Sequence, residues 1–134
     1  MPGGKVAPNL AKRGIRGYQQ AEPGSTQMLF NMENPVVGGY TPEKVALRRA
    51  MGLAYDTPRE VNLVRNGQAI PAQGPVVPNT YGYDPKLKTA NSEFNPARAK
   101  ALLDAFGYVD RNSDGWRERP DGPPRHPAIS TETN

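Results

Sequence analysis

Thr41-Pro42-Glu43-Lys44-Val45-Ala46-Leu47-Arg48-Arg49-Ala50-Met51-Gly52-Leu53-Ala54-Tyr55-Asp56 is the stretch from which the fold is read. Thr41 is an N-cap residue before a proline at the first helical position, where the missing N–H costs nothing. Val45, Ala46, Ala50, Leu53 and Ala54 then fall on one side at helical spacing, with Leu47 and Met51 beside them, while Arg48 and Arg49 point away as a solvated face or pair with Glu43 or Glu60. The pattern predicts a core-facing helix from Pro42 to about Tyr55.

The same start signal recurs twice. Thr57-Pro58-Arg59-Glu60 is a capping box, with Glu60 three residues after Thr57, and opens a helix predicted to run from Pro58 to Asn66 and stop at Gly67. Asn95-Pro96-Ala97 opens a third, predicted from Pro96 to Phe106, which buries Ala99, Leu102, Leu103 and Phe106 and stops at Gly107. Gln27-Met28-Leu29-Phe30-Asn31-Met32 has the length and content of a strand, and Gln68 to Ile70 reads as a second, shorter one. Residues 71–93 show no periodicity but carry Pro71, Pro75, Pro78 and Pro85, Gly74 and Gly82, and the aromatics Tyr81 and Tyr83. A loop of that length is usually functional or held by a larger assembly.

The chain has 134 residues, enough for one domain. Hydrophobic residues are 36% of it, and 15 Pro with 14 Gly predict long irregular connections around a thin core. The formal charge of +4 is spread over Lys12, Arg13, Arg16, Arg48, Arg49, Arg98, Lys100, Arg117 and Arg119 among others. A nucleic-acid binder would concentrate its basic residues beside stacking aromatics, so nucleic acid is not an expected partner. Absence of cysteine removes disulfides, Cys-ligated zinc and thiol catalysis together. Met1 to Leu10 contains no apolar run of signal-peptide or membrane-helix length, so no membrane insertion is expected and the chain as written would stay in the cytoplasm.

Six blocks stand in a characteristic order. They are Asn31 with Asn34-Pro35, Val45 to Asp56, Asn66 to Pro78, Gly82-Tyr83-Asp84-Pro85, Asn95 to Leu103, and Gly107-Tyr108 with Asp110 to Glu118. Together, over about residues 28 to 122, they resemble the family 5 extracellular solute-binding proteins, the oligopeptide- and dipeptide-binding receptors of ABC transporters. The resemblance implies an α+β fold: a fragment of a two-lobed periplasmic binding protein, about three helices packed on a small sheet with long Pro/Gly loops. It implies a partial lobe over 27–118 beginning with the hinge strand, while residues 1–26 read as a flexible N-terminal segment and 119–134 as a polar tail, in which the resemblance ends after Asp121-Gly122-Pro123. It further implies a non-enzymatic transport role, an oligopeptide ligand and an ABC permease as partners of the intact relative, and a periplasmic location. A fragment would hold at most half a cleft, so little peptide affinity is expected of it alone, and an interrupted sheet would expose an edge for self-association.

The sharpest local motif is Asp110-Arg111-Asn112-Ser113-Asp114-Gly115. Numbered as an EF-hand loop, it places side-chain oxygens of Asp110, Asn112 and Asp114 at alternate positions, glycine at the sharp turn, Trp116 at the backbone-ligand position, then Glu118 and Asp121. Calcium is the cofactor such spacing would take, and a small calcium-binding or protein-interaction module is the alternative function. The competing structural reading is a polar turn whose side chains bond their own backbone. Three further residues are ligand candidates. Tyr81 and Tyr83 offer apolar faces with polar tips at a cleft border, or else cover the core. Asn31 has the chemistry to bond a peptide backbone, or else serves a turn. No Ser/His/Asp set, paired catalytic carboxylates or Gly-rich phosphate loop with a lysine is present, so no enzyme is expected.

Overall fold

A computed structural model describes residues 5–120 and 122. Its helices are α1 (Pro8–Ala11), α2 (Pro42–Ala54), α3 (Thr57–Leu63) and α4 (Pro96–Ala105), with a short 3-10 turn at Ala90–Ser92 before α4. The chain divides into two compact units, one formed by Met1–Gln27 with Tyr55–Phe94 and the other by Met28–Ala54 with Asn95–Asn134.

The second unit is built on α2 packed against α4. Ala50 and Leu53 of α2 meet Ala99 of α4, and the half-buried Leu102 and Leu103 close around them. Small alanines at the contact let the two backbones approach, and the Asn95 N–H donates to the Leu53 carbonyl at 2.8 Å where the end of one helix meets the start of the other. Ala46 and Tyr108 are also buried. The Tyr108 hydroxyl donates to the Glu43 carbonyl at 3.3 Å, fixing the segment after α4 to the first turn of α2. Asn95 caps α4 as its sequence indicates, its side chain accepting the Arg98 N–H at 3.0 Å.

The first unit contains α1, α3 and the long irregular segment, and none of its described residues is a buried hydrophobic. Polar bonds organise it instead. The Thr89 N–H donates to Gln73 Oε1 at 2.8 Å, the Thr89 hydroxyl donates to the Gln73 carbonyl at 2.7 Å, and the Gln73 amide reaches the Ser92 hydroxyl. Asn79 donates to the Ala21 carbonyl at 3.2 Å. The Gln73 bonds tie that residue to Thr89 and Ser92 across an irregular segment that ends in the 3-10 turn.

The small sheet is not formed. Among the described residues there is no strand, which overturns the α+β expectation and makes this chain helical with irregular connections. Gln27–Met32 and Gln68–Ile70 have strand-like composition but no neighbouring strand to take their N–H and C=O groups. Gln68–Ile70 is exposed throughout, and in Gln27–Met32 Phe30 and Met32 are half-buried while Leu29 is 79% exposed, so what both segments lack is a partner strand. Without a sheet, the self-association expected through its edge loses its structural basis.

Two local readings are also corrected. Asp56, not Thr57, caps α3: its carboxylate accepts the Arg59 N–H at 2.9 Å, and the helix begins one residue early and ends at Leu63 rather than Asn66. Aspartate is the stronger cap, and Pro58 still falls in the first turn, where no N–H is needed. Arg48 does not point away. It is half-buried, and its guanidinium donates to the carbonyls of Val37 at 2.6 Å and Gly39 at 2.9 Å.

Candidate functional site

The Asp110–Glu118 loop holds the one group of three converging acids among the described residues. Asp110, Asp114 and Glu118 each present a carboxylate oxygen, and these oxygens lie within 4.8 Å of one another. Asp110 and Asp114 are exposed, whereas Glu118 is 6% exposed. The backbone reaches this arrangement through two left-handed residues, Ser113 (φ 62°) and Gly115 (φ 89°). A glycine at Gly115 meets that requirement at no steric cost, while Ser113 adopts it inside a turn held by its neighbours.

Each acid is also an acceptor within the loop. Asp110 Oδ2 takes the Gly115 N–H at 2.9 Å, Asp114 Oδ1 takes the Trp116 N–H at 2.8 Å, and Glu118 Oε2 takes the Arg111 N–H at 2.7 Å. Asn112 Oδ1 accepts the Asp114 N–H at 3.1 Å and its amide donates to Asp114 Oδ2 at 3.0 Å. The Glu118 N–H donates to the Val109 carbonyl at 3.1 Å and joins the two arms of the loop. This is the bonding of a polar turn that closes on its own backbone, with three acids left close enough to share a hard cation. Trp116, at the position where an EF-hand uses its backbone carbonyl, turns an exposed side chain to solvent. Asp121, the remaining acid of the motif, lies outside the described residues.

Basic groups surround this loop. Arg117 donates to the Tyr108 carbonyl at 2.6 Å and pairs with Asp104 at the end of α4. The Arg117 guanidinium hydrogen-bonded to Asp104 holds that carboxyl below its ordinary value, against an opposing effect of desolvation. Arg111 reaches back to the Gly107 carbonyl at 3.4 Å. The loop is thereby tied to the helix that precedes it.

The other candidates are not gathered into one site. The Asn31 side chain accepts the Glu33 N–H at 2.9 Å, the bond of a turn-forming asparagine. Tyr81 is fully exposed, whereas Tyr83 is at the border of exposure. The Tyr83 N–H donates to the Thr80 carbonyl at 3.2 Å in the turn that presents them. In the first unit an open groove is lined by Tyr55, Asp56, Arg59, Glu60, Leu63 and Val64, all on or beside α3.

Residues 32–48 contain the feature that sequence reasoning missed. Asn34 Oδ1 accepts the N–H groups of Val36 at 2.8 Å and Val37 at 3.2 Å, the Gly38 N–H donates to the Asn34 carbonyl at 2.8 Å, and Lys44 Nζ donates to the Pro35 carbonyl at 2.7 Å. With Arg48, these bonds bind the segment that enters α2 to the helix itself. Lysine and arginine one turn apart at the start of a helix, after an Asn-Pro turn, were the available signal.

The family described as bacterial extracellular solute-binding proteins, family 5 Middle, matches the chain over residues 1–134. The chain belongs to that family. No curated protein and no solved structure matches it. Family 5 solute-binding proteins deliver substrate to ABC transporters, work with their permeases and are typically not enzymes. No helix among the described residues is long and apolar enough to cross a membrane.

Proposed function

We propose that this solute-binding chain is one part of a periplasmic receptor for oligopeptides, contributing a share of one lobe and little peptide affinity alone. The observation that carries the reading is the family match along the whole chain. Physical support comes from what the units bury. The core is three small or medium side chains with two leucines around them, while Met28, Leu29, Tyr40, Leu63, Val64, Ile70, Tyr81 and Trp116 stay exposed. A cleft that encloses a peptide needs concave apolar walls with convergent polar groups. Asn31 is here a turn residue, Tyr81 a ring facing solvent and Tyr83 a ring at the border of exposure. In the intact receptor, closure of two lobes over an extended peptide would supply the missing walls, and an ABC permease would receive the cargo. Calorimetry with di- to hexapeptides is expected to show no saturable heat for this chain; micromolar binding would overturn the reading.

A second reading, a calcium-binding module, is favoured by the three carboxylate oxygens of Asp110, Asp114 and Glu118. A calcium titration followed by NMR separates the two. Saturable shifts confined to residues 110–121 and lost in Asp110→Ala would favour the module, and a flat titration assigns the loop to structure.

A further inference from the structure

We propose that Asn66 is a site of spontaneous deamidation, converting in place to isoaspartate and aspartate. Asn66-Gly67 is the one Asn-Gly pair in the sequence, and both residues are exposed. Nothing beyond its chain neighbours lies within 4 Å of the place a side chain at Gly67 would occupy, so no other segment packs on that side of the turn. Both residues sit in the left-handed region, Asn66 at φ 50° and Gly67 at φ 72°, in the turn that leaves α3.

The chemistry needs only water. The Gly67 backbone nitrogen, once deprotonated, attacks Cγ of Asn66; the N–Cγ bond forms, the Cγ–Nδ2 bond breaks, and ammonia leaves carrying a proton. The cyclic imide that remains is opened by water. Attack at the former backbone carbonyl leaves isoaspartate, and attack at Cγ leaves aspartate.

One hydrogen bond guards the nucleophile: the Gly67 N–H donates to the Val61 carbonyl at 2.8 Å. That guard is weak. Helix α3 has seven residues and buries none of them, and Leu63 and Val64 at its end are 66% and 67% exposed. Short helices without tertiary packing are marginal, and such ends open at little free-energy cost. Five other asparagines are better held. The side chains of Asn31, Asn34, Asn79, Asn95 and Asn112 all hydrogen-bond to backbone or side-chain partners, and each precedes a residue bulkier than glycine. Conversion places a new negative charge at the carboxyl end of α3, where the helix dipole opposes it, and isoaspartate lengthens the backbone within the turn that Gly67 closes.

The test incubates the full chain under mildly alkaline conditions beside a synthetic peptide of residues 66–86, then digests the chain with trypsin and maps that same peptide by fragmentation. The expected result is an amide-to-acid mass gain at Asn66, resolved as two chromatographic species, rising with pH and lost in Asn66→Gln. Conversion of the synthetic peptide while Asn66 of the folded chain stays intact would overturn the proposal, as would a gain that maps to Asn79.

Discussion

The buried carboxylate of Glu118 accepts the backbone N–H of Arg111 at 2.7 Å across the mouth of the polar loop. Removing that acceptor leaves the Arg111 N–H of this half-buried bond without its partner. Glu118→Ala is expected to cost about 1–3 kcal/mol, read as a lower denaturant midpoint, whereas Glu118→Gln keeps an acceptor and costs less. Equal losses in the two variants would show that the bond to Arg111 is not what stabilises the loop.

Arg48 holds two carbonyls, those of Val37 and Gly39, with one nitrogen. Arg48→Met keeps much of the stem packing but leaves those carbonyls without their charged partner. Its expected effect is a loss of roughly 1–3 kcal/mol, together with faster amide exchange at Gly38 and Gly39. Arg49→Met, on the exposed side of α2, is the control and is expected to fall within about 0.5 kcal/mol of the parent chain.

Gly38 sits where the chain crosses itself. A Cβ there would lie 2.6 Å from the Asn34 carbonyl oxygen and closer still to that of Met32, both backbone atoms that have no rotamer by which to move away. Gly38→Ala is therefore expected to destabilise by roughly 2–4 kcal/mol. A thermal midpoint unchanged from the parent would mean that the 32–39 turn can open without loss.

Asp104 carries the pH dependence that the structure makes specific. Its carboxyl is held below the ordinary value of 3.8 by the Arg117 guanidinium. A depressed carboxyl contributes stability above its unfolded value and loses it as pH falls through the folded one. Arg117→Met is therefore expected to raise the Asp104 midpoint in an NMR titration toward 3.8 and to matter at neutral pH but not in strong acid. The pair is exposed, so the effect on stability is small and shrinks with added salt.

The helices were legible in the sequence because their signals are local. Three Pro-containing starts lie within a residue of where α2, α3 and α4 begin, and Asn95 caps α4 with its own side chain. Gly67 and Gly107 take positive φ where the chain leaves α3 and α4. The alternating oxygens of Asp110, Asn112 and Asp114 likewise marked a turn in which side chains bond nearby backbone. What the sequence misjudged depended on partners. Met28-Leu29-Phe30 is strand-like in composition, but a strand exists only where a second one takes its backbone bonds.

By itself, the sequence determined that helices open at Pro42, beside Pro58 and at Pro96, that Ala50, Leu53, Ala99, Leu102 and Leu103 pack together, and the family to which the blocks belong, although α3 ends at Leu63 rather than Asn66 and Ala54 is exposed. Those properties rest on caps, periodicity and glycine conformations within a few residues of one another. Only the tertiary structure decided that the expected sheet does not form, that Arg48 faces the Val37 and Gly39 carbonyls rather than solvent, and that Glu118 is the buried acid of its loop. Each of those outcomes is set by groups brought together by folding, and whether a polar atom finds its partner in water or in another segment cannot be read from spacing along the chain.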